Sequence, residues 1–320
     1  MTEKMFFPKI SEDNDKFEFT GETITLCNRT LYRIRAKRDI IGKDGEVIAR
    51  KGDLGGFIES EGNLDYHSNA WVSDNAQVFG FAKVLDDALV YDNAQVYGIA
   101  RVYDHAKVFG NAEVYNFASI RDYAKVYGNA KVFDYAIVSR DAELYGNAMV
   151  FGKARILDYA KVYNYAIIYD NAEIRDYAEV CGNAIIYDNA KVYGHAQVSE
   201  NAKVYGNAKV YNFAKVYDNA QVYDYAVVCD HAQVFEYARV YDNANVCDGA
   251  LIYGNAMIYG DAWVHDYARV FGNARVYDNA KIQDYAKIYG DAEVFEDVVI
   301  YGYSRIYGKA KVHGNTDLYE

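Results

Sequence analysis

Cys229, Cys247 and His265 recur at intervals of eighteen residues, a spacing that stacks three soft ligands if the chain coils with that period. Thiolate and imidazole in a column could hold a divalent metal, with Gln283 the next side chain in line. Against a metal, strand side chains project in parallel and do not converge. The two cysteines could also pair, which a reducing compartment disfavours. Cys181 falls on a different face, and Cys27 is expected to pack in the N-terminal segment. His105, His195 and His231 share another column and His313 lies near the end, each a candidate general base. No insertion stands beside them to build a pocket that excludes water, so no catalytic residue is assigned. Aspartates at 86, 104, 122, 158, 176, 230, 248, 266 and 284 border that column. They read as turn formers accepting local hydrogen bonds, or as an acidic ridge imitating a phosphate backbone.

These residues sit on a strict repeat. From Ala70 to Thr316 a small residue returns every sixth position, alanine except at Val298, Ser304 and Thr316, and two places later stands Val, Ile or Leu. In Ala202-Lys203-Val204-Tyr205, strand alternation sends Ala and Val to one side and Lys and Tyr to the other. Gly206-Asn207 then turns the chain, with residue types that tolerate positive φ. The residue before each small one, read every eighteenth position, gives one column dominated by asparagine from Asn75 to Asn273 and another of mixed Asp, His and Tyr from Asn69 to Tyr285. Corners that differ and persist predict eighteen residues per coil, three faces and three edges. The fold expected is all-β, a parallel solenoid in which each coil buries aliphatic side chains and asparagine columns add amide ladders.

The position after the aliphatic residue carries an outward aromatic column, including Tyr97, Tyr115, Phe133, Tyr205, Tyr223, Tyr241, Tyr259 and Tyr277. Stacked rings strengthen neighbouring strands, or offer a long recognition surface. Around the middle, Met149, Phe151, Tyr165, Ile167, Tyr169, Ile185 and Tyr187 predict an exposed apolar patch suited to a protein contact.

The spacing of aliphatic, any three, small, any one, as in Val204-Tyr205-Gly206-Asn207-Ala208-Lys209, resembles the hexapeptide-repeat superfamily. That resemblance covers roughly four fifths of the chain and implies a left-handed parallel β-helix of triangular section, about fourteen coils here. Many such proteins are acyltransferases dependent on coenzyme A, with a loop interrupting the helix and a histidine base. This chain departs from them in having no insertion from residue 70 onward. LYRIRAKRDI followed by KGDLGGFIESEGNLDYHSNAWVSDNAQV resembles YdcK-like hexapeptide-repeat proteins of bacteria and prophages.

Residues 1–57 read as a β-hairpin cap on the array at 58–320. Residues 1–16 are expected to be loosely held, Asn28-Arg29-Thr30 to connect a first hairpin, and Lys43-Asp44-Gly45 to turn a second. The glycines of Lys51-Gly52-Asp53-Leu54-Gly55-Gly56 lack the lysine and hydroxyl of a phosphate loop and read as capping structure. A net charge of -12 argues against direct nucleic-acid binding, and no run is long enough to span a membrane. Outward threonine ranks of the kind that bind ice are missing, since Thr316 is the array's one threonine. No cofactor is called for. The expected role is a cytoplasmic protein-binding or scaffold solenoid with a protein partner, self-associating through its last coil; acyl transfer and nucleic-acid mimicry are the alternatives.

Overall fold

A computed structural model describes residues 8–320. The chain divides into two compact units, the first ending at Asp158 and the second running from Tyr159 to Glu320. In each, every eighteen residues add one short strand to each of three parallel sheets. Among the described residues there is no α-helix, only a single 3-10 turn at Glu61–Asn63.

Alternation at the six-residue scale produces the coil. Alanine and aliphatic residues such as Ala202, Val204, Ala208 and Val210 are fully buried, while Lys203 and Lys209 on the same strands are exposed. Each buried Val or Ile is worth about 1.5–3 kcal/mol over an exposed one. Strands pair in register with the next coil, Lys203 opposite Gln221 and Val204 opposite Val222. The ladder continues through the corners: Lys203 N donates to Ala220 O at 3.0 Å and Asn201 N to Asp218 O at 2.8 Å. Between strands the chain makes a tight turn closed by bonds such as Ala202 N to Ser199 O at 3.2 Å. Its first central residue has positive φ, 59° at Glu200 and 68° at Gly206, which explains why Asp, Asn and Gly dominate that place. Ser304 replaces alanine because its hydroxyl has partners: it donates to Tyr301 O at 2.8 Å and accepts Glu320 N–H at 3.1 Å.

The cap belongs to the first unit. β1 (Phe17–Leu26) and β2 (Arg29–Ala36) form an antiparallel hairpin with a register shift between Phe19 and Thr23, around Gly21. The hairpin turn lies at Cys27 and Asn28, both at positive φ, one step earlier than expected, because a two-residue turn fits the twist of the strands better than three. Cys27 is consequently exposed at the tip and not packed in the cap. β3 (Ile40–Ile41) and β4 (Val47–Ala49) pair around Gly45 as predicted. β5 (Leu54–Ile58) crosses the 57/58 boundary, antiparallel to β2 and parallel to Gln77–Val78, which converts cap pairing into solenoid pairing.

Gly55 and Gly56 are what this junction demands. A Cβ on Gly56 would lie 2.6 Å from Ala76 O and 2.8 Å from Val72 Cγ1, and one on Gly55 2.6 Å from Ile34 Cγ1. Gly56→Ala is expected to lower stability by about 2–3 kcal/mol through overpacking. Gly62→Ala, with nothing nearer than 3.8 Å, should change it by less than about 0.5 kcal/mol. Paired thermal melts check the difference.

The prediction of a loose terminus covers residues 1–7, which lie outside the described residues, and is corrected for part of the rest. Glu61 gathers Ser11 N at 2.9 Å, Ser11 Oγ at 2.7 Å and Asn14 Nδ2 at 2.9 Å. Burial raises the Glu61 pKa, but these bonds outweigh it and leave it below the ordinary value. Asn14 and Lys16 are buried, and Lys16 Nζ donates to Asp65 O at 2.6 Å. A run of polar residues carried no periodicity from which to read this docking.

Candidate functional site

The aromatic residues following each aliphatic form continuous stacks. In the first unit Phe79, Tyr97, Tyr115, Phe133 and Phe151 lie parallel with centroids 4.8–4.9 Å apart. In the second, Tyr187, Tyr205, Tyr223, Tyr241, Tyr259 and Tyr277 do the same at 4.8–4.9 Å. The coil spacing sets the ring spacing, so each ring covers its neighbour's face and the column is half-buried. Burial pushes the hydroxyls of Tyr187, Tyr223 and Tyr259 up to about 12. Of the middle-patch residues, Met149 and Phe151 are half-buried in the first unit. In the second, Ile167 pairs with Ile185, both half-buried like Tyr169 and Tyr187, and Tyr165 is 61% exposed.

Most of the aromatic side chains that reach solvent stand just before the buried alanine, at the corners; Trp263, Tyr307 and Tyr319 are exposed elsewhere on the coil. One corner of the second unit stacks Tyr159, Tyr177, His195, Phe213 and His231 at 4.9–5.0 Å. Another corner, in the first unit, carries Phe81, Ile99, Phe117 and Tyr135 on successive coils. Phe81 is 79% exposed and Phe117 stacks on Tyr135 at 4.8 Å. Beside this ridge lies a recess of about 390 Å³ lined by Leu26, Phe79 and Tyr97 together with Phe81 and Ile99. The ridge repeats at eighteen-residue spacing in the column before the alanine, not in the column after the valine where the recognition surface is expected.

The remaining corner polar groups serve the coil. Asparagine side chains bond in ladders, Asn111 to Asn129 and Asn129 to Asn147 at 3.1 Å in the first unit and Asn183 to Asn201 at 3.2 Å in the second. The aspartates do more than form local turns: Asp104 Oδ2 accepts Asp122 N at 3.2 Å and Asp176 Oδ2 accepts Gly194 N at 2.9 Å, each from the next coil. Left-handed backbone aims the carboxylate along the stack, where the following coil's amide needs an acceptor.

Cys229 and Cys247 form a disulfide between adjacent coils, Cα atoms 4.6 Å apart. This overturns the expectation that the two cysteines stay unpaired, because the stacking that would align ligands also brings two thiols within bonding reach. Asp230 Oδ2 lies 3.2 Å from Cys229 Sγ, and His265 Nδ1 lies 3.0 Å from Asp266 Oδ2.

Residues 250–266 match the YdcK β-solenoid repeat. With the three-sheet coil, this gives a hexapeptide-repeat-like β-helix with a YdcK-like repeat. No curated protein matches the chain. The matched repeat holds the strands Leu251–Ile252, Met257–Ile258 and Trp263–Val264 and ends on His265 and Asp266.

Of the histidines, His105 has a cap element against it after all. Lys43 of the β3–β4 turn lies 3.3 Å from His105 Nε2 and 2.9 Å from Asp87 Oδ2, while Asn69 Nδ2 donates to Asp87 Oδ1 at 2.9 Å. Burial pushes the Asp87 carboxyl up, and the hydrogen bonds from Lys43 and Asn69, with the charge of Lys43, bring it below its ordinary value. With Nε2 engaged by Lys43, the cluster pins the cap hairpin to the coil.

Proposed function

We propose that this chain is a non-enzymatic solenoid that binds a protein partner on the exposed corner of its first unit. The observation that carries the reading is the unbroken apolar ridge of Phe81, Ile99, Phe117 and Tyr135, 42–79% exposed, opening onto an apolar recess. Contiguous exposed apolar surface marks interaction sites, and aromatic anchors dominate their energetics. Lys83 and Arg101, exposed two residues beyond Phe81 and Ile99, enter no ion pair among the described residues. Cations flanking the ridge on a chain of net charge -12 favour an acidic segment with apolar anchors as the occupant.

The likeness to YdcK-like proteins supports a bacterial or prophage setting, and we place the chain in the cytoplasm. Among the described residues no helix is long and apolar enough to cross a membrane. Acyl transfer is not assigned, since His105, which faces the β3–β4 turn, has its outer nitrogen engaged by Lys43.

Affinity capture from bacterial lysate with wild-type and Phe117→Asp baits tests this. A discrete stoichiometric partner should be held by the wild type and bound on the order of 30-fold more weakly by the variant, whose circular dichroism is unchanged. Capture indifferent to Phe117→Asp and to Lys83→Glu, or recovery of only a second copy of the chain, would overturn the reading.

A further inference from the structure

The second unit carries an unused cluster of ligating side chains. Cys229, Cys247 and His265 occupy one column on three successive coils, held in register by the pairings of Val227 with Asn245 and of Asn245 with Trp263. The column is aromatic just before them, where Tyr193 stacks on Tyr211 at 4.9 Å. Each of the three is followed by an aspartate at positive φ, 55° at Asp230 and 56° at Asp248 and Asp266. The ligand atoms of Cys229, Asp230 and Cys247 lie within 4.8 Å of one another, and so do those of Asp248, His265 and Asp266.

We propose that reduction of the Cys229–Cys247 disulfide opens a site for one thiophilic divalent cation of the zinc class. Its ligands are the two thiolates, the His265 imidazole and one carboxylate of the aspartate corner. A tetrahedral zinc site with metal–sulfur bonds of about 2.3 Å needs sulfur atoms about 3.8 Å apart. Cysteines with Cα atoms 4.6 Å apart reach that by small side-chain rotations, without moving the coil. His265 stands on the next coil in the second of the two groups, and its imidazole has to turn from Asp266 toward the thiolates to complete the set. The redox step balances with a dithiol reductant, which gives two electrons and two protons to the Cys229–Cys247 bond and becomes a disulfide itself. Metal binding then displaces a proton from each thiol. Oxidation by a disulfide of the opposite poise reverses both steps and expels the cation, making the pair a redox-controlled metal site.

Cobalt(II) titration of the full chain is the test, after phosphine reduction and anaerobic desalting, in a Cys27→Ser/Cys181→Ser background that leaves only the proposed thiols. The reduced protein should bind a single equivalent with thiolate-to-cobalt charge-transfer absorption, bleached by zinc and untouched by excess calcium. The oxidised protein should show none. Cys229→Ser should abolish the band, and His265→Ala should weaken binding by about 10- to 100-fold. No sulfur-to-metal absorption in the reduced protein, identical binding before and after reduction, or displacement by calcium would overturn the proposal. Should a serine variant misfold by circular dichroism, the comparison of oxidised with reduced protein decides the matter alone.

Discussion

Val222→Asp is expected to destabilise the second unit by roughly 4 kcal/mol or more, whereas Lys203→Asp one coil earlier should change stability by less than about 0.5 kcal/mol. Val222 is fully buried between Val204 and Val240, its register partners on either side, and its surroundings are Ala and aliphatic. A carboxylate there has no donor within the stack; it must neutralise or open the coil. Lys203 stands on the other side of the same sheet in solvent. Because the stability of a repeat array is close to a sum of nearest-neighbour terms, the Val222→Asp defect should also split denaturation into two phases. Urea unfolding followed by circular dichroism measures both effects. Equal losses for the two substitutions would contradict the assignment of inward and outward positions.

Lys16 makes the cap sensitive to pH. Burial lowers its pKa from 10.5 to about 7, the Asp65 charge opposing this and the Arg38 charge adding to it, with a further opposing pull from Asp87. The unfolded chain binds the proton more tightly, so the penalty for folding is full below pH 7 and is relieved as pH rises from 7 toward 10.5. The span corresponds to roughly 5 kcal/mol. Wild-type cap stability should therefore climb between pH 7 and 10, read from the fluorescence of Trp71, which is buried against Gly55. Lys16→Met should flatten that climb and be the more stable protein at pH 6, after losing about 1 kcal/mol with the bond to Asp65 O. The stacked tyrosines act in the opposite sense at higher pH. Hydroxyls held near 12 contribute stability that is present below about 10 and lost as pH rises through 12. A wild-type profile as flat as that of Lys16→Met would contradict a buried amine.

How much of this was legible in the sequence depends on which physical constraint repeats. Alanine and valine at fixed places give the buried face, and the eighteen-residue columns give the three sheets, because every coil must satisfy the same packing. The asparagine ladders follow from the same logic. Other features depend on contacts between coils or with the cap, which a single unit does not reveal. The inter-coil role of Asp104 and Asp176 arises from an amide eighteen residues away. The docking of Asn14 and Lys16 depends on Glu61 and Asp65, distant in sequence and without periodicity. For the candidate surface, outward direction alone was a poor guide: rings stack on their neighbours above and below at the same spacing on strand faces and at corners, but a corner ring projects from the edge where two faces meet and keeps about half of its surface in solvent. Phe81 and Phe117 are exposed for that reason, while Tyr97 and Tyr115 are not.

Hydroxyl-radical footprinting of the captured complex tests the binding role most directly, since oxidation reports each aromatic side chain's contact with water. Phe81, Phe117 and Tyr135 should be readily modified in the free chain and protected when the partner is bound, while Tyr159, Tyr177 and Tyr267 of the second unit, all more than half exposed, stay reactive. Unchanged modification of Phe81, Phe117 and Tyr135 in the complex, or protection confined to the second unit, would contradict the account.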